Sequence, residues 1–207
     1  MVSRTFIISY LTLLITIIIG YWLTTDERPD ERFLTLSTLG KNDTAGDYYP
    51  SNNNNTNIVL PGQMVSWNIY VYNHAESAEY VSVRIKLLNS TDTTPDENYY
   101  SGNPRSQYLY EFRHLLARNS TWNIPLDWMI SNVSIDPDHG HIIIGGLDIN
   151  NHHVEGLNVT SLQGKDFRMI IELWKYNMED KAFVFQGFPE NDNNGGAWNQ
   201  IWFSLKV

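Results

Sequence analysis

Tyr80-Val-Ser-Val-Arg-Ile-Lys-Leu-Leu88 decides the fold. In an extended chain Val81, Val83, Ile85 and Leu87 share one face, and Ser82, Arg84 and Lys86 share the other. The β-branched and aliphatic set suits a pleated surface packed on a core. The polar set is expected to face solvent. Upstream, Asn73-His74-Ala75-Glu76 reads as a turn, and Met64–Tyr72 alternates over most of its length. Pro61-Gly62 is a turn dipeptide, 42–57 is a polar loop with the run Asn52–Asn55, and Arg32–Leu39 is a first strand. Downstream, 89–106 is a polar excursion with Pro95 and Pro104. Tyr108–Leu116 fits a strand, although Leu109, Phe112, Leu115 and Leu116 also fit helical spacing; the strand is preferred.

Trp122–Trp128 alternates, and Pro125 marks it as an edge strand. His141–Gly145 is a β-branched run, with Gly145-Gly146 read as a turn. Phe167–Trp174 and Phe183–Phe185 form a hairpin-like pair around Asn177–Lys181, and Trp198–Val207 is the last strand. Short strands separated by turn signals, without a long helical pattern after residue 25, predict an all-β, immunoglobulin-like antiparallel β-sandwich. Its core is expected to take most of the tryptophans and phenylalanines.

Residues 1–25 differ in kind. Phe6–Leu23 carries no charge, and its length, about 27 Å as a helix, approaches the roughly 30 Å of a bilayer core. Arg4 precedes the run, and Asp26, Glu27 and Asp30 follow it, which places the downstream chain outside the cytoplasm. Tyr21 and Trp22 suit the outer interface. A cleaved signal peptide is the rival, but Gly20–Thr25 lacks the small residues of a cleavage site. The expected organisation is an uncleaved anchor over 1–25, a linker over 26–31 and an extracytoplasmic domain over 32–207. The expected location is the cell membrane, single-pass.

The net charge is −9, and setting aside Arg4 leaves −10 beyond the anchor. Such a surface excludes nucleic acid as a natural partner. There is no cysteine, so disulfides, thiol catalysis and cysteine-ligated metals are excluded. Six N-x-[ST] sequons follow the anchor, at Asn42, Asn54, Asn89, Asn119, Asn132 and Asn158. That is about twice what the chain's content of Asn, Ser and Thr gives by chance. Asn42, Asn54, Asn89 and Asn132 are placed in or after loop-like segments. Sequons without cysteine suit an archaeal surface protein.

Several of these residues together resemble a known family. They are Phe33 and Leu39-Gly40, Tyr49-Pro50, Pro61-Gly62, Asn73–Glu76, the strand Tyr80–Leu88 running into Asn89, Phe167-Arg168, and Glu172-Leu173-Trp174. In order and spacing they resemble the extracytoplasmic domain of the DUF1616 family, mainly archaeal membrane proteins of uncharacterised function. The resemblance covers most of 32–207. It implies a membrane context and no catalytic residues; family members typically carry several N-terminal helices, and this chain has one candidate.

Few residues suggest chemistry. Asp136-Pro-Asp138-His139-Gly-His141 and His152-His153 flank a hairpin-like segment. If the chain folds back at Gly145-Gly146, His139 and His141 could meet His152 or His153, so that three imidazoles and a carboxylate hold zinc or copper. Asp192-x-Asn194-Gly195 echoes part of a calcium loop, but the closing Glu is missing, and a solvated loop is the plainer reading. No G-x-S-x-G, H-E-x-x-H or phosphate-binding loop occurs. Two functions follow: a non-enzymatic interaction or envelope-associated module, such as an accessory subunit of a membrane complex with a protein partner and no cofactor, or an anchored zinc or copper protein using the four histidines.

Overall fold

A computed structural model describes residues 13–16, 33–50, 56–95, 108–185 and 196–207. Of the expected anchor only Leu13–Thr16 falls among them, and these four residues are helical. Among the described residues no helix is long and apolar enough to cross a membrane. The rest of the anchor, the linker, Asn54 and the Asp192–Gly195 loop lie outside the described residues.

The chain beyond Arg32 is all-β. Its strands are β1 (Leu34–Gly40), β2 (Ile58–Val59), β3 (Val65–Asn73), β4 (Glu79–Leu88), β5 (Tyr110–Leu116), β6 (Thr121–Asp136), β7 (His141–Ile149), β8 (His152–Leu162), β9 (Phe167–Asn177), β10 (Ala182–Val184) and β11 (Trp198–Leu205). They form two sheets. Sheet 1 has the order β1-β3-β6-β7-β8, and sheet 2 the order β2-β11-β9-β4-β5, with β10 also on β9. β1, β3 and β6 take the A, B and E places of an immunoglobulin-type sandwich, and β4, β9 and β11 the C, F and G places. The β7–β8 hairpin extends the sheet beyond β6. One pairing departs from the expected antiparallel plan: β2 runs parallel to β11.

β3 shows why the sheets stack. Val65, Trp67, Ile69, Val71 and Asn73 are buried, and the residues between them are not. The core lies between this face and the facing side of β4, β9 and β11. Trp128 bridges the sheets, its ring centroid 5.2 Å from that of Trp67 and 5.2 Å from that of Phe203. Phe203 also stacks on Phe167 at 5.6 Å. The expectation that most aromatic residues are core holds only for some of them. Trp67, Trp128, Phe167 and Phe203 are fully buried, whereas Trp122, Trp174 and Trp198 are half-buried and Trp202 is exposed.

Four local readings need correction. Ser82 and Lys86 are buried, and Arg84 is only partly exposed, because sheet 2 is covered on its outer face too. Pro125 lies in β6, an interior strand, but at a local edge. Its carbonyl accepts from Asn150 Nδ2 at 2.9 Å, and N–H and C=O of one residue point the same way in an antiparallel ladder. The missing N–H therefore faces the side of β7, whose pairing with β6 begins only at Trp128–Ile149. Gly145-Gly146 lies inside β7 rather than in a turn. A Cβ on Gly146 would come within 2.9 Å of Asn132 Cβ, so glycine is required by a close approach of β6. The actual reversal is Asn150-Asn151, both at positive φ (46° and 64°), the geometry of a two-residue hairpin. Finally, Asn132 lies in β6 and not in a loop.

Candidate functional site

The four histidines do not converge. They sit in two pairs at opposite ends of β7, where His141 opens the strand and His152 faces its last residue, Ile149. Eight residue steps at about 3.3 Å separate the ends by roughly 26 Å. Folding back at Asn150 instead of Gly145 doubles the length of the strand and removes the proposed meeting point. His139 and His141 do share a face, with ring centroids 6.1 Å apart and 16° between planes. His139 Nδ1 is 2.8 Å from Asp136 Oδ2, while Asp136 Oδ1 accepts from the Asp138 backbone N–H at 3.1 Å. This is a turn clasp built by an aspartate. His152 packs on the Tyr110 ring at 5.4 Å. Among the described residues, no three histidine, aspartate or glutamate side chains gather as a metal site.

His153 is held differently. Its Nδ1 contacts Asp148, and its Nε2 lies 2.8 Å from Glu155 Oε1. The hydrogen bond to Asp148 and then that to Glu155 raise its pKa above the usual histidine value. Two flanking carboxylates stabilise the imidazolium, the form in which both ring nitrogens donate. His153 and Asp148 border an open cavity of about 480 Å³, lined also by Met64, Asp127, Met129 and Asn150.

The densest chemistry lies elsewhere, on the outer face of β5, β4 and β9. Three registered rows build it. Arg113, Ser82 and Trp174 form one, and Glu111, Arg84 and Glu172 the next; Lys86 and Ile170 follow. Lys86 Nζ lies 2.8 Å from Glu172 Oε1, and both side chains are at most 5% exposed. Arg84 Nε donates to Glu111 Oε1 at 2.9 Å, and Ser82 Oγ donates to the same oxygen at 2.7 Å. The Arg84 guanidinium also stacks 4.0 Å from the Trp174 ring and 4.9 Å from that of Tyr108. Burial is the largest single influence on Glu111 and pushes its pKa up. The hydrogen bonds from Ser82, Arg113 and Arg84 together outweigh it and hold the carboxyl below its usual range. At one end of this face Tyr80, Tyr176 and Phe183 form an aromatic triangle with centroids 5.1 to 5.7 Å apart.

At the other end, Arg168 donates to the Asn89 carbonyl at 3.0 Å and to that of Asp92, with its guanidinium 5.0 Å from the Trp202 ring. Burial works against its charge and lowers its pKa. Sequence reading missed this face by treating Arg84 and Lys86 as solvated. A signal was present in Phe167-Arg-Met-Ile-Ile-Glu-Leu-Trp174, a run too apolar to alternate, as expected of a strand covered on both sides.

The described sequons differ in the same detail. Asn42, Asn119, Asn132 and Asn158 are exposed, whereas Asn89 is half-buried. Both ends of its carboxamide are engaged, with Oδ1 accepting from the Thr91 and Asp92 backbone N–H groups and Nδ2 donating to the Thr160 carbonyl at 3.0 Å.

No family model matches this sequence, and no curated protein does. Solved structures with a similar arrangement include the CARDB domain of a Pyrococcus furiosus protein in complex with di-metal ions. The likeness covers 85% of this chain and 94% of that one, at 10% identity and a TM-score of 0.40. They also include the sporulation control protein Spo0M of Bacillus subtilis, matched over 84% of this chain and 50% of that one, at 5% identity and a TM-score of 0.33. The chain thus spans about half the length of Spo0M.

Proposed function

We propose that residues 32–207 form a non-enzymatic interaction module, held outside the cytoplasm by the 1–25 segment and serving as an accessory subunit of a membrane complex. The observation that carries this reading is the outer face of sheet 2. Tyr80, Tyr108, Arg84, Arg113 and Trp174 are residue types that dominate binding energy at protein interfaces. Here they are already locked by one another: Arg84 is fixed by Glu111 and by two rings, and Arg113 Nε donates to Glu111 Oε2 at 2.7 Å. A side chain ordered before binding loses little rotamer entropy on contact. Tyr80 and Tyr108 are each 38% exposed and Leu115 is 64% exposed, so the face keeps surface to offer. Tethering near a bilayer raises the local concentration of membrane neighbours, and even weak contacts are then populated.

The test combines topology with capture. Protease added to intact cells should digest the chain beyond Thr25. A tagged full chain, solubilised in detergent, should retain a membrane protein that the folded Tyr80→Ala/Arg113→Ala variant releases. Capture unchanged by that variant would move the interface off this face, and protection of the domain until lysis would reverse the orientation.

A further inference from the structure

We propose that Asn158 carries an N-linked glycan that shields the free edge of sheet 1, and that Asn89, although also in a sequon, stays bare because its side chain seals the same edge. The inference rests on the outward placement proposed above.

Among the described residues β8 ends sheet 1, and no strand pairs with its outer side. An eleven-residue edge strand offers a row of open backbone groups to any other strand. In its upper part this row is closed by the chain itself. The Thr160 carbonyl accepts from Asn89 Nδ2 at 3.0 Å, and the Leu162 carbonyl accepts from the Lys165 backbone N–H at 3.1 Å. Below Thr160 the ladder breaks. Val159 pairs with Ile144 and Glu155 with Gly146, so Gly156, Leu157 and Asn158 bulge opposite the single residue Gly145. Gly156 supplies the positive φ, 75°, that this bulge needs.

Asn158 therefore stands on the bulge, exposed, immediately below the sealed stretch. The hydroxyl residue of its sequon is Thr160, the residue that Asn89 caps. The two sequons meet on one edge and divide the work between a side-chain cap and a covalent one. In the transfer, Asn158 Nδ2 forms a C–N bond to the anomeric carbon of a lipid-phosphate-linked oligosaccharide. The anomeric C–O bond breaks, the lipid phosphate leaves with the electron pair, and one amide proton passes to base. Nothing is oxidised or reduced. The same addition at Asn89 would force a sugar into the contact with Thr160 and disturb the turn its Oδ1 organises.

The full chain is translated with endoplasmic-reticulum microsomes, the translocated and protease-resistant fraction is recovered, and its glycopeptides are mapped by mass spectrometry. The folded fraction is expected to carry sugar at Asn158 and none at Asn89. Asn158→Gln should lose one glycan, remain folded and shift from monomer to larger species on size exclusion. A translocated, folded chain with Asn158 bare, or with Asn89 occupied, overturns the assignment and leaves the outward placement intact. A folded Asn158→Gln chain of unchanged size overturns the shielding role. A chain that never enters the vesicles overturns the outward placement and this inference together.

Discussion

β3 and β9 are both interior strands, yet they meet their surroundings in opposite ways. β3 alternates buried and open residues along its whole length; β9 is buried without a break from Phe167 to Leu173. Sheet 1 keeps one face partly open to water, where Ser66, Asn68, Tyr70 and Tyr72 are half-buried and Asn68 and Tyr70 both donate to Asp43. Sheet 2 is buried on both faces along β9 and the middle of β4, and there its outer face must solve a different problem. Lys86, Glu172, Arg84 and Glu111 have lost most of their water there, and a partner of opposite sign restores much of what was lost. Lys86 with Glu172 and Arg84 with Glu111 are that solution. One sandwich thus holds an apolar interior between its sheets and a polar interior outside one of them.

Four experiments can break or sharpen this contrast. The largest effect is expected at Glu172. Replacing it with Ala takes the carboxylate from the buried Lys86 ammonium and from the Trp174 indole N–H and should cost about 3–5 kcal/mol, whereas Lys86→Met/Glu172→Leu should recover much of that loss. Denaturant unfolding of the two variants is the measurement, and a loss below about 1 kcal/mol for Glu172→Ala would show the face to be solvated after all. Next comes the apolar interior, where Ile85→Ala should cost about 3 kcal/mol by opening a cavity.

The third test compares two indoles within that interior. Trp67 Nε1 donates to the Tyr48 carbonyl at 2.6 Å, while the buried Trp128 Nε1 has no hydrogen-bond partner among the described residues. Trp67→Phe orphans a carbonyl and Trp128→Phe removes an orphan donor, so the first should be the more destabilising by about 1 kcal/mol. Equal melting temperatures for the two would argue that both N–H groups are equally satisfied.

The smallest effect is in pH, and the two sheets should respond with opposite sign. Glu111 has a folded pKa below its unfolded value. Its contribution is present above the unfolded value and is lost as pH falls through the folded one. His153 has a folded pKa above its unfolded value. Its contribution is present at pH below the unfolded value and is lost as pH rises through the folded one. Glu111→Gln should therefore flatten the acid limb of the stability profile, and His153→Ala the limb just above the ordinary histidine range. An NMR titration placing the His153 midpoint at or below an ordinary histidine would contradict the double clamp by Asp148 and Glu155.

The sheets also differed in how far they could be read from residue order. Strands with one wet face announce themselves by alternation, so β3 and the first half of β6 were legible; β4 alternates in residue type although both its faces are largely buried, and β5 was legible once strand was preferred over helix. β8 was not. His152-His-Val-Glu-Gly-Leu-Asn-Val-Thr-Ser-Leu162 buries little and bulges in the middle, so it has no clean period to detect. The histidines misled for a related reason. Gly145-Gly146 is a common turn signal, but here it serves a close packing contact with Asn132, and the turn belongs to Asn150-Asn151. The outer face of sheet 2 was hidden because a charged residue in a strand reads as solvated unless its cover is known, and the cover comes from elements distant in sequence.

The parallel clip between β2 and β11 bears on how such a chain can fold during synthesis. Ile58 pairs with Ser204 and Val59 with Leu205, the Tyr49 hydroxyl donates to the Trp202 carbonyl, and Asn199 Nδ2 donates to Thr38 Oγ1 at 3.1 Å. The earliest strands of the domain are thus secured by its last one. Contacts so far apart in sequence form slowly, since the intervening loop must close before they yield any stability. At a synthesis rate of roughly 5–20 residues per second, β1 and β2 wait on the order of ten seconds for β11 to emerge. During that interval their open edges must be kept from other chains, and a destabilised β11 should show itself first as aggregation of nascent protein and only later as a lowered melting temperature.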